Sequence, residues 1–174
     1  MKNKQNFIIA IVIVVLIAVI GITAYLNKGN VANKTELNND AVFAVIENGE
    51  EIKSYNMSEI QSLGEVEFYA NLKSSGNDPV EHRYTGVPLI RILEDAGANT
   101  EGTDAAIVSA IDGYVVSVSM DKVLDDEDVY LAYIRGGELI GTRGDGGDGP
   151  YQLIISKDKF SQFWCKYAYS VELD

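Results

Sequence analysis

Twenty consecutive residues, Phe7 to Leu26, carry no charge and are rich in Ile and Val. A run of that length matches the roughly 20 residues that cross about 30 Å of hydrocarbon, so it is read as a membrane helix or signal sequence and withdrawn from any soluble core. A cleaved signal has an apolar region of about 7 to 15 residues and a small-x-small site. Here the run is longer and offers only Ile22-Thr23-Ala24, with a bulky first residue, so an uncleaved single-pass anchor is expected over 7–26. Lys2 and Lys4 precede it and only Lys28 follows closely. The positive-inside rule then keeps residues 1–6 in the cytoplasm and puts the C-terminal domain outside the cell membrane.

Charge bounds the partners of that exterior part. The first 26 residues hold two of the 14 basic residues and no acid, which leaves 12 basic against 26 acidic residues, a formal charge of −14. Nucleic acid and anionic membrane surfaces both need a basic footprint, so neither is expected as a partner. A single cysteine, Cys165, forbids an internal disulfide. The domain must therefore hold together by its core alone.

Residues 27–40, with five Asn and no aromatic residue, read as a polar tether, and the domain is expected over 41–174. Val42–Glu47 and Glu50–Tyr55 are strand-like and joined by Asn48-Gly49, the strongest short hairpin signal. Asn56 or Ser58 can cap a brief helix through Ser62; Val66–Leu72 alternates as a strand, and Ser74–Pro79 is a polar turn. Tyr84–Gly97 predicts the principal helix, with Thr85 or Gly86 as cap, Pro88 in the first turn and Gly97 closing the other end. Leu89, Ile90, Leu93 and Ala96 form its apolar stripe.

Beyond that helix the period becomes two. Ala105–Ile111, Tyr114–Met120, Val129–Arg135, Tyr151–Ser156 and Phe163–Leu173 are strand candidates, with turns at Asp112-Gly113 and Gly136-Gly137 and one helical turn near Asp121–Asp126. In the last strand, alternation would put Phe163, Cys165, Tyr167, Tyr169, Val171 and Leu173 on one face. Gly141–Pro150, with five glycines, is expected to be an irregular loop. The fold class is α+β, with many short, largely antiparallel strands and one principal helix.

The order of Tyr84–Gly97, then Ser109-Ala-Ile-Asp-Gly-Tyr114, Val129–Tyr133, Gly149-Pro-Tyr-Gln-Leu-Ile-Ile155, Trp164-Cys-Lys-Tyr167 and Val171-Glu-Leu173 resembles the molybdopterin-binding domain of the sulfite oxidase family. The resemblance covers Ala41–Asp174 and implies a mixed α+β domain built on a curved, barrel-like, mostly antiparallel sheet. It also implies molybdopterin as cofactor. Catalytic members of that family bind molybdenum through a cysteine in the first half of the domain, whereas this chain has no cysteine before Cys165. Cys165 falls where the related proteins carry an apolar residue and is expected to be a buried structural thiol. The region of resemblance is short for a catalytic version, and the n-region lacks the arginine pair of the twin-arginine route. Export unfolded and without cofactor is the simpler expectation.

No catalytic residue and no metal ligand is assigned from the sequence. His82, the only histidine, stands with Arg83 ahead of the principal helix, where an anion could bind. Arg143, Asp145 and Asp148 lie in the glycine loop, whose backbone and carboxylates are the other candidate ligand-binding groups. Three function classes follow. The favoured one is a membrane-tethered, extracytoplasmic ligand-binding or interaction module without molybdenum catalysis, meeting a small ligand or a redox or protein partner. A molybdopterin-dependent oxidoreductase, or a subunit of one, is the alternative, and a purely structural surface domain is the third.

Overall fold

The structure, a computed structural model, describes residues 12–23, 41–73 and 78–174 in two separate units, divided between Glu36 and Leu37. In the first unit residues 12–23 are helical and exposed throughout, and the Thr23 hydroxyl donates to the Val19 and Ile20 carbonyls at 2.9 and 3.0 Å. Among the described residues no helix is long and apolar enough to cross a membrane. Residues 7–11 and 24–26 of the expected anchor, the expected cytoplasmic segment 1–6, the expected tether 27–40 and residues 74–77 of the expected polar turn lie outside the described residues.

The second unit opens with the expected hairpin, β1 (Phe43–Glu47) and β2 (Glu50–Tyr55). Asn48 and Gly49 both have positive φ, 49° and 79°, as a two-residue turn matched to strand twist requires. Asn56 then caps α1 (Met57–Ser62) in a full capping box: its side chain accepts from the Glu59 amide, and the Glu59 carboxylate accepts from the Asn56 amide. β3 (Val66–Leu72) and β4 (Val80–Pro88) follow, then α2 (Leu89–Ala96). The chain continues through β5 (Ala105–Ala110), β6 (Val115–Ser119), the single turn α3 (Met120–Val123), β7 (Val129–Arg135), β8 (Glu138–Leu139), β9 (Gln152–Ile155) and β10 (Ala168–Leu173).

Among the described residues the mostly antiparallel strands divide into two five-stranded sheets. One runs β2-β1-β10-β5-β6, and only its β1–β10 pair is parallel; the other runs β3-β4-β7-β8, with β9 also on β7. β7 is buried over all five residues from Val129 to Tyr133, as a strand flanked on both sides must be. Backbone bonds from Leu153 to Cys165, and from the Ala168 amide to the Tyr151 carbonyl, join the sheets. One apolar core fills the space between, with Phe43, Tyr84, Tyr133 and Tyr151 among its largest buried side chains.

Two expectations need correction. The helix begins at Leu89, not near Tyr84: Tyr84–Pro88 extend β4, and Thr85 and Gly86 pair with β7 instead of capping. Proline disfavours the helical region for the residue before it, which keeps Val87 extended. Gly86 is there because a Cβ would stand 2.5 Å from the Leu131 carbonyl oxygen. Gly97, at φ 73°, does close α2. The second correction concerns the C-terminal run, where Tyr167 takes φ 57° and a register shift falls between Ala168 and Ser170. The period is thereby broken, so Phe163 and Tyr169 are exposed while Trp164, Ala168 and Ser170 are buried.

Candidate functional site

An open cleft of about 850 Å³ lies where β4, β7 and β9 meet the segment leading into β10. Local structure sets each wall. Arg135 ends β7 opposite Tyr84 of β4, and Gln152 opens β9 opposite Ala132. Trp164 and Lys166 flank Cys165, whose two-way backbone bridge to Leu153 fixes that segment. The Trp164 indole N–H donates to the Ile155 carbonyl at 3.2 Å, which anchors the ring. Lys73, Ser161 and Gln162 close one side, and the Lys73 amide donates to the Ser161 hydroxyl at 3.0 Å. Asp112 and Tyr114 close another.

Asp148 enters the cleft from the glycine loop. That loop is more ordered than its composition suggests. It contains a 3-10 turn at Arg143–Asp145, a Thr142–Gly149 bridge and a cis peptide at Gly149-Pro150. The Asp148 carboxylate accepts from Arg135 at 3.0 Å and from Lys166 at 2.9 Å. Partial burial works to raise its pKa, but the hydrogen bonds from Lys166 and Arg135 outweigh that, and the carboxyl is held below its ordinary range.

The floor is unusual. Gln152 is fully buried, lines the cleft, and neither its amide oxygen nor its amide nitrogen has a partner among the described residues. The Tyr84 hydroxyl is also buried and has no partner among the described residues. Burial pushes its pKa up; the nearby Arg135 guanidinium opposes this, though no hydrogen bond of proper geometry joins the two. Tyr84 stands edge-on to Trp164 at 5.8 Å and to His82 at 6.3 Å, so an aromatic wall backs the polar floor.

Of the sequence-predicted site residues, His82 and Asp148 come together in this cleft. Arg83 does not; it is exposed and pairs with Glu67 at 3.4 Å. Arg143 lies over the Tyr167 ring at 5.7 Å, beside a separate, mostly apolar pocket of about 310 Å³. Asp145 is exposed and accepts from the Thr142 hydroxyl at 2.8 Å. Residues missed from the sequence include Lys73, Arg135, Gln152 and Lys166. Gln152 left a signal, being the one polar residue inside the buried run from Tyr151 to Ile155. The three basic residues left none, since charges at strand ends are ordinarily solvated.

A family model described as the oxidoreductase molybdopterin binding domain matches residues 31–154. The chain belongs to that family. Among solved structures, the molybdopterin-binding domain is similar to the sulfane dehydrogenase SoxCD from Paracoccus pantotrophus, with TM-score 0.63 and 18% identity, covering 78% of this chain and 38% of that one. The likeness is one of fold, and this chain spans well under half the length of that protein's chain. No curated protein matches.

One residue in the cleft of this molybdopterin-binding domain, Gln152, has the chemistry that the organic part of such a cofactor would need. A pterin ring presents a lactam and amino edge, which needs a donor and an acceptor side by side, and the orphaned Gln152 amide offers both. A cysteinyl metal ligand does not fit. Cys165 is fully buried, burial raises its thiol pKa to about 12, and it is not among the residues that line the cleft. Among the described residues no group of three or more His, Cys, Asp or Glu is arranged to hold a metal ion.

Proposed function

We propose that the domain binds a pterin-type ligand in the cleft above Gln152 and serves as a component of a molybdopterin oxidoreductase, supplying no cysteine of its own to the metal. One observation carries this: a fully buried glutamine with two unpaired amide atoms. An unsatisfied buried polar group costs about 1–3 kcal/mol, and a ligand with a lactam edge removes that cost. Family membership and the SoxCD-like fold support an oxidoreductase subunit over the module without molybdenum chemistry that the missing cysteine first favoured.

The domain is further proposed to sit outside the cell membrane, tethered by residues 7–26 with residues 1–6 in the cytoplasm. Length of the apolar run and the placement of Lys2 and Lys4 support this. The missing metal ligand and any electron acceptor then fall to a protein partner.

The second reading, an interaction module that carries no cofactor, draws on Asp148. Its carboxylate already satisfies the two cations that a cofactor phosphate would otherwise meet.

Protein purified from its own host separates the two. Molybdenum by mass spectrometry and a fluorescent pterin after oxidation are expected in the wild type, and both are expected to be lost in Gln152→Leu. A wild type with neither, which also fails to bind added pterin, would overturn the cofactor reading. The anchor has its own measurement: a mature N-terminus at Tyr25 or later would show cleavage.

A further inference from the structure

Among the described residues the two sheets end on β2, β6, β3 and β8. β2 carries Glu50, Glu51 and Lys53, β3 carries Glu67 and β8 carries Glu138, and charges of this kind keep an edge from pairing with another chain. β6 differs. Val115-Val-Ser-Val-Ser119 has no charge and no proline, and it pairs with β5 alone, without a register shift from Ala105 opposite Ser119 to Ser109 opposite Val115. We propose that β6 is a docking edge for an extended segment of a partner protein, which adds beside it as an antiparallel strand and carries basic residues at its ends. The edge takes its partner whether or not a pterin occupies the cleft.

The register with β5 fixes which groups are on offer. The Ala110 amide donates to the Tyr114 carbonyl at 2.8 Å, and the Met120 amide donates to the Asp104 carbonyl at 2.9 Å. Antiparallel pairing alternates bonded with non-bonded positions, so Val116 and Val118 bond to β5 while Val115 and Ser117 turn both N–H and C=O to the open side. Ser119 presents its N–H there as well; its carbonyl, at the N-cap of α3, belongs to the helix. Among the described residues no loop or turn backbone bonds to these outward groups. Side chains follow the same alternation: Val115, Ser117 and Ser119 are exposed, and Val116 and Val118 are buried. An added strand therefore finds free main-chain partners and small neighbours that leave room for its own side chains.

Charge and size decide what pairs there. Asp104 and Asp121 are exposed at one end of the β5–β6 pair and Asp112 at the other, and Lys122, which follows Asp121, is engaged by Asp158. A segment with Lys or Arg at both ends meets opposite charge at both. A second copy of the chain meets like charge, because residues 27–174 carry a formal −14. A five-residue strand is also far short of the roughly 20–30 residues a side that a standard protein interface uses. A peptide strand needs less, since main-chain hydrogen bonds supply its affinity.

The probe is the capped peptide Lys-Lys-Val-Thr-Val-Thr-Val-Lys-Lys, titrated into the full chain in mild detergent and followed by calorimetry and by amide exchange in NMR. Binding is expected, and it should weaken at least about tenfold when Glu replaces every Lys of the peptide. Val116 and Val118 amides should exchange slowly before the peptide is added, and Val115, Ser117 and Ser119 amides only after. Ser117→Pro removes an N–H that β5 does not use, so the domain should still melt cooperatively while the peptide binds at least about tenfold more weakly. If that variant does not fold, Ser117→Lys blocks the edge by charge and should show the same loss. Asp112→Asn combined with Asp121→Asn should weaken the Lys-flanked peptide about tenfold and a Ser-flanked one less than about twofold. No binding at about 1 mM peptide, equal binding of the Glu-flanked form, or protection at β2 or in the cleft instead of at β6 would overturn the inference. A dimer of the full chain that Ser117→Pro dissolves would overturn it in favour of a second copy. Binding that appears only once residues 27–40 are replaced by Gly-Ser repeats would overturn it in favour of the chain's own tether.

Discussion

Gln152 sits in a strand whose other members, Leu153, Ile154 and Ile155, are buried and apolar. Nothing in the architecture requires an amide there, since a leucine would extend the same buried row. Replacing the glutamine by leucine removes two unsatisfied polar atoms and adds apolar contact, so Gln152→Leu is expected to stabilise the domain by about 1–3 kcal/mol in urea unfolding. The same change should abolish pterin binding. A stable, ligand-blind variant is the signature of a residue kept for a ligand; a destabilised one would mean that the amide has a structural partner after all.

At the level of elements, the residues that spoke most clearly were those whose local chemistry has one outcome. Asn48-Gly49 fixed the first hairpin, Asn56 with Glu59 fixed the start of α1, and Val66–Leu72 is found as β3 with the expected bounds. The helix start is not legible locally, because Thr85 and Gly86 resemble caps in isolation while their role depends on β7, more than 45 residues further on. Gly86→Ala tests that role: a methyl group 2.5 Å from a backbone oxygen should cost at least about 1–3 kcal/mol, whereas at a helix cap it would cost far less. Thermal unfolding of the variant decides between them. The cleft was less legible than the fold. Its cations come from the end of β7, the end of β3 and the approach to β10, and only tertiary pairing brings them together.

Across the whole molecule, ion pairs tie the acidic surface to the frame and make stability depend on pH. Hydrogen bonds from Lys53 and Tyr55 hold Asp95 below its ordinary pKa, and Lys157 does the same for Asp125. For Asp95, Asp125 and Asp148 the folded value lies below the unfolded one, so the unfolded chain binds protons more readily. Their stabilisation is present above the ordinary carboxylate pKa of about 3.9 and is lost as pH falls through the folded values. Asp95→Asn should flatten the stability profile in that acid window and leave its shape near neutrality unchanged; an unaltered acid limb would show that the pair contributes nothing.

The parallel pairing of β1 with β10 also carries a consequence for biogenesis. Residues 168–173 form the middle strand of the first sheet, between β1 and β5, so the sheet that the first hairpin begins cannot close until nearly the whole domain has left the ribosome or the translocon. Long-range pairing of this kind slows folding because the loop entropy must be met before the contacts form. Nascent chains arrested with residue 165 as their last emerged residue should remain protease-sensitive throughout 41–135, and release of eight more residues should convert the whole stretch to resistance in one step. Assembly of that sheet would thus be timed by the emergence of residues 168–173.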